Sequence, residues 1–120
     1  MALLREYKEI AYQWGIWKTE ESPEELLALL PDPERYEQQL TLFSSPHRKL
    51  EWLSVRVLLY QLLGEEKTIE YAPSGKPHLA DSSYFISISH TRGYVAVILS
   101  PVSEVGIDIE QYGQRVHKVA

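Results

Sequence analysis

Tyr84-Phe85-Ile86-Ser87-Ile88-Ser89-His90-Thr91-Arg92-Gly93-Tyr94-Val95-Ala96-Val97-Ile98-Leu99 is the stretch that decides the fold class. Its two runs of strand-forming residues, 84–90 and 93–99, are joined at Thr91-Arg92-Gly93. Three connecting residues that include glycine predict a hairpin loop between antiparallel strands. In the first run, alternation places Ile86, Ile88 and His90 on one side and Ser87 and Ser89 on the other. Working outward, residues 68–72 and 104–110 also alternate, and residues 9–18 are rich in aromatic and β-branched side chains, so each reads as a strand.

Between these strands the signals are helical. Ser22-Pro23-Glu24-Glu25 supplies an N-cap, a proline at the first helical position and a glutamate three residues after the cap, which starts a short helix carrying Leu26, Leu27, Leu29 and Leu30. A second short helix is predicted near Pro33. Ser45-Pro46 repeats the start signal, and Leu50, Leu53, Val57 and Tyr60 keep helical spacing until Gly64. Arg48, Trp52 and Arg56 recur every four residues on this longest helix, a stripe that reads as a solvated face. Helices packed on a mostly antiparallel sheet make an α+β domain over residues 1–120.

A chain of 120 residues with 44% hydrophobic and 24% charged side chains suits a single globular domain. It contains no cysteine, which excludes disulfides and thiolate zinc sites. The net charge of -5 is the wrong sign for coating nucleic acid, so an anionic ligand needs a local basic patch. No apolar run is long enough to span a bilayer and no signal-peptide pattern opens the chain, so the expectation is a cytoplasmic protein with no nucleic-acid or membrane partner.

Three short segments could carry chemistry. In Glu104-Val105-Gly106-Ile107-Asp108-Ile109-Glu110, strict alternation sets Asp108 and Glu110 on one face, about 6.6 Å apart, within reach of a single hard cation such as magnesium. Gly106 on that face leaves room for a ligand; the plain alternative is a strand with its acidic side toward water. His90 stands at the mouth of the hairpin, where it can meet a phosphate, move a proton, or simply bond a neighbouring backbone group. His47, His78 and His117 have weaker settings. Ser74-Gly75-Lys76-Pro77 has the composition of a tight turn that would hold Lys76 in place, and it lacks the spacing of a P-loop. Nucleophile-elbow, zinc-protease and dinucleotide motifs do not occur in the sequence.

Taken in order, Gly75-Lys76-Pro77, Ile86-Ser87-Ile88-Ser89-His90-Thr91 and Val105-Gly106-Ile107-Asp108-Ile109-Glu110 resemble the 4'-phosphopantetheinyl transferase superfamily, and more narrowly its surfactin-synthetase-activating (Sfp) type, over residues 46 to 112. The resemblance implies one lobe of a two-lobed α+β fold. It also implies magnesium-dependent transfer of 4'-phosphopantetheine from coenzyme A to a serine of an acyl or peptidyl carrier protein. By matching position, Asp108 and Glu110 would bind magnesium, and Ser89 and His90 would contact coenzyme A phosphates. Lys76 would touch the nucleotide, with Arg48 a looser match to a second nucleotide-binding cation. Asp108, Glu110 and His90 would be catalytic.

The downstream Trp-x-x-Lys-Glu-x-x-x-Lys helix of that type has no counterpart in the sequence. The expectation is therefore an amino-terminal half, inactive alone, that self-associates through the surface its second half would cover. The competing expectation is a non-catalytic module that binds coenzyme A or a partner protein.

Overall fold

A computed structural model of the chain describes residues 3–8, 11–112 and 115–119. Strands β1 (Leu3–Lys8) and β2 (Gln13–Lys18) precede helices α1 (Pro23–Ala28), α2 (Glu34–Leu40) and α3 (Pro46–Leu63). Strands β3 (Ile69–Tyr71), β4 (Pro77–Leu79), β5 (Phe85–Thr91), β6 (Tyr94–Ser100), β7 (Asp108–Tyr112) and β8 (Arg115–Val119) follow. The main sheet has the order β1-β2-β6-β5, with β3-β4 and β7-β8 as separate pairs, and all of these pairings are antiparallel. The α+β class is therefore as the sequence indicates.

The helices start and stop where their chemistry dictates. Ser22 and Glu25 form a reciprocal capping box at α1, satisfying backbone donors that the first turn would otherwise leave open. The Ser45 hydroxyl accepts from the Arg48 backbone N–H, and Gly64 closes α3 in the left-handed conformation at φ 74°. Along α3, every residue from Leu53 to Leu59 is buried. Its apolar side chains meet Trp17 on β2 and Val95, Val97 and Leu99 on β6, with Leu26 of α1 in the same cluster.

The opposite face of the sheet is covered too. Trp14 and Ile16 of β2 and Ala96 and Ile98 of β6 pack against Ile107 and Ile109. Burial on both faces explains why Val95–Leu99 is a continuous apolar run, whereas β5 alternates isoleucine with serine. Each such side chain removed from water stabilises the fold by roughly 1.5–3 kcal/mol, so these two layers supply most of the driving force.

Several boundaries differ from the sequence reading. The strand expected at 9–18 is Gln13–Lys18 among the described residues, and it pairs antiparallel with β1, a strand without a strong sequence signal. The hairpin loop has two residues, Arg92 and Gly93, since Thr91 pairs with Tyr94 and Gly93 supplies φ 79°. Regular strand structure in the acidic segment starts at Asp108, after an extended approach. The turn at 72–76 joins β3 to β4, with Gly75 at φ 91° donating its N–H to the Ala72 carbonyl. Among the described residues, no helix is long and apolar enough to cross a membrane.

Candidate functional site

Strand β5 lies at an edge of the main sheet and presents its polar residues on two sides. On the helix side, following Ile86 and Ile88, His90 places Nδ1 3.2 Å from Glu51 Oε2 on α3. On the other side, Ser87 Oγ accepts from the Ile107 N–H at 3.3 Å and Ser89 Oγ accepts from the Ile109 N–H at 3.2 Å. The segment carrying Asp108 is thus laced to β5 through serine hydroxyls, with a two-residue period on both partners. Ser89 Oγ also donates to Asp108 Oδ1 at 3.1 Å, which fixes an exposed carboxylate through a serine next to His90 in sequence but on the opposite face of β5.

A cavity of about 500 Å³ opens between α3, the β3–β4 turn and β5. Arg48, Arg56 and His90 reach it, together with the flat surfaces of Phe43 and Trp52. Here the structure corrects the solvated-face reading of the Arg48-Trp52-Arg56 stripe. Arg56 is only 6% exposed and lies over the Trp52 ring at 4.0 Å. Its guanidinium donates to the Trp52 carbonyl at 3.3 Å and to the Tyr71 hydroxyl at 3.4 Å, both neutral acceptors. Burial holds its pKa below the ordinary arginine value. Among the described residues, neither Arg56 nor Arg48 forms an ion pair.

The carboxylate on the cavity wall, Glu51, faces His90 and forms no ion pair with Arg56, and a buried cation left without a paired countercharge is costly unless an anion completes the site. The sequence signal for it was a single charged residue, Arg56, inside the helix run Leu53 to Leu59, whose other members are apolar except Ser54. Helical spacing hid that signal, because it counts Arg56, eight residues on from Arg48, as more of the same face. Arg48 itself is exposed, with its guanidinium 5.7 Å from the Phe43 ring.

The remaining predicted residues fall elsewhere. Lys76 Nζ is 2.8 Å from Glu104 Oε1, an exposed ion pair that lowers the Glu104 pKa through the lysine's hydrogen bond and charge. Both border a separate cavity of about 360 Å³ that Phe85, Pro101 and Val105 also line. His47 pairs with Glu51 at 3.4 Å and His78 with Glu70 at 3.2 Å, while the side chains of Glu110 and His117 lie outside the described residues.

Among the described residues, no group of three or more His, Cys, Asp or Glu side chains is arranged to hold a metal. Asp108 has fitting chemistry: an exposed carboxylate, oriented by Ser89, is the hard oxygen donor a magnesium ion takes alongside water and phosphate oxygens.

This chain is 38% identical over 64 residues to the 4'-phosphopantetheinyl transferase AcpT of Salmonella typhi. It is likewise 38% identical over 64 residues to the AcpT enzymes of Salmonella typhimurium and Escherichia coli (strain K12). The similarity supports the phosphopantetheinyl transferase superfamily. In each case the matched stretch is 52% of this chain and 33% of the relative, so the chain matches about a third of the length of these transferases. No family model matches the chain.

Proposed function

We propose that this chain acts in the transfer of 4'-phosphopantetheine from coenzyme A to a serine of an acyl or peptidyl carrier protein, as an amino-terminal lobe of the surfactin-synthetase-activating type. The observation that carries the reading is Arg56: a buried guanidinium without a countercharge, stacked on Trp52 in a cavity that Arg48 and His90 also reach. Cations set among flat aromatic surfaces match a nucleotide bearing phosphate, which is one end of coenzyme A. The order of the three motifs and the similarity to AcpT support the same reading.

In this reading Arg48, Arg56 and His90 hold the nucleotide phosphate on the helix side of β5. Ser89, Asp108 and Glu110 serve the pyrophosphate on the other side. Consecutive Cα atoms are only about 3.8 Å apart, so an extended ligand crossing the free edge of β5 meets both sets. Lys76 reaches the nucleotide by exchanging Glu104 for it, an exchange that costs little because both partners are exposed.

The carrier serine oxygen attacks the phosphorus next to the pantetheine arm, its proton passes to a water molecule, and the bond to the bridging oxygen breaks, releasing adenosine 3',5'-bisphosphate with the electron pair of that bond. Cations placed around the bridging oxygen stabilise the charge that develops there. Magnesium bound by Asp108 and Glu110 would supply further neutralisation of that charge.

The test is calorimetric titration of the chain with coenzyme A, with and without magnesium, followed by a mass assay for phosphopantetheine on an apo carrier protein. That assay uses the chain alone and any longer form its reading frame encodes. Magnesium-linked binding that Asp108→Ala weakens, and transfer by the longest form, are the expected results. Binding that ignores both magnesium and Asp108→Ala would instead favour a non-catalytic coenzyme A-binding module. No binding and no transfer would end the reading altogether.

A further inference from the structure

We propose that Glu51 is a positioning residue for His90, setting the tautomer and aim of the imidazole that faces the cavity; the inference rests on the cavity being the nucleotide site. Glu51 stands on α3 one turn after His47, and a single carboxylate oxygen, Oε2, lies 3.2 Å from His90 Nδ1 and 3.4 Å from His47 Nε2. The Glu51 side chain is 24% exposed, against 58% for His90 and 60% for His47, so the carboxylate is the more enclosed partner on the stiffer element. His90 has no comparable support of its own. It sits one residue from the end of β5, beside a two-residue turn on an edge strand, where an imidazole is otherwise free to rotate.

The chemistry follows from what a carboxylate can do. Its oxygens only accept, so a hydrogen bond between the ring and Glu51 puts a proton on the nitrogen facing the carboxylate. Nδ1 is then the protonated nitrogen in the neutral ring, and Nε2 is left to meet whatever enters the cavity. His47, with Nε2 3.4 Å from the same oxygen, flanks the carboxylate from its own helix. Ligand-contacting imidazoles are commonly oriented in this way by a carboxylate behind the ring, and here the arrangement links the long helix to the motif strand.

The test uses the whole chain with 15N-labelled histidine. The His90 ring signals, assigned with His90→Ala, are followed by NMR to the alkaline plateau of their titration, and adenosine 3',5'-bisphosphate binding is measured by calorimetry. The wild-type ring is expected to carry its proton on Nδ1, and Glu51→Ala to shift the ring toward the tautomer mixture of free imidazole. The same variant should weaken adenosine 3',5'-bisphosphate binding about threefold to tenfold, in the lower part of the range for contacting residues. In a His90→Ala background, Glu51→Ala should have no further effect.

A wild-type ring protonated on Nε2, a tautomer that Glu51→Ala leaves unchanged, or an equal loss of binding in the His90→Ala background would each overturn the proposal. A tautomer that responds to Glu51→Ala in a protein that binds no adenosine 3',5'-bisphosphate would sustain the positioning role and refute the nucleotide assignment.

Discussion

The Ser89 hydroxyl donates to Asp108 Oδ1 at 3.1 Å, and Ser89 Oγ itself accepts the backbone N–H of Ile109 at 3.2 Å. A hydroxyl has one proton to give, so Ser89 cannot donate to a phosphate while it donates to Asp108. Its assigned role toward coenzyme A therefore requires the hydroxyl proton to turn away from Asp108, and a cation on that carboxylate would favour the exchange.

Ser87 and Ser89 separate structure from function, because both accept a backbone N–H from the segment that carries Asp108 and only Ser89 bonds the Asp108 side chain. Ser87→Ala and Ser89→Ala should each lower stability by about 1 kcal/mol in urea denaturation. Only Ser89→Ala should also weaken magnesium-linked coenzyme A binding in calorimetry. Equal effects of the two variants on binding would remove Ser89 from the site.

Arg56→Leu replaces a buried cation with an apolar side chain of shorter reach. Relief of desolvation should leave stability within about 1 kcal/mol of wild type, or slightly higher, while coenzyme A binding falls at least about tenfold. Urea unfolding and calorimetry on the same samples check both halves. A large loss of stability would mean that the guanidinium serves the core and not the cavity.

Tyr36 donates to Glu66 Oε2 at 2.6 Å, and burial together with that carboxylate raises its pKa well above the usual phenol value. The unfolded chain ionises this phenol near pH 10 while the folded chain resists, so the stabilisation is complete below about pH 10 and declines as pH rises beyond it. Tyr36→Phe should be about 1 kcal/mol less stable at pH 7, and the gap should narrow at alkaline pH. Denaturant midpoints for both proteins between pH 7 and 11 measure this; a gap that widens with pH would contradict the assignment.

Gly93 holds φ 79° in the turn that ends the His90 strand, and nothing lies within 4 Å of a Cβ built there. The cost of Gly93→Ala is then purely one of backbone conformation, about 1 kcal/mol, and Gly93→Asn should lose less because asparagine tolerates the left-handed region. Thermal or urea unfolding of the two variants should rank them in that order.

The elements legible in the sequence were those written in local chemistry. The Ser22 and Ser45 starts, the Gly64 stop and the alternation of β5 depend on groups within a few residues of one another, and each is present in the structure. Strand β1 was not legible, because Leu3–Lys8 carries no clear alternation and is a strand through its pairing with β2. The loop at Arg92-Gly93 is one residue shorter than the composition suggested, since cross-strand register and not glycine content fixed its ends.

The candidate site shows the same division more sharply. From the sequence by itself come the α+β class, the hairpin, the three ordered motifs, and the side of β5 on which His90 and Ser89 each lie, because a pleat of period two is a local property. Only the tertiary structure decided that Arg56 is buried against Trp52, that Glu51 backs His90, and that Lys76 is tied to Glu104. Those relationships join residues from different elements. Spacing along one helix gives a direction around its axis, but the neighbour waiting in that direction exists only once the sheet and the β3–β4 turn have packed beside it.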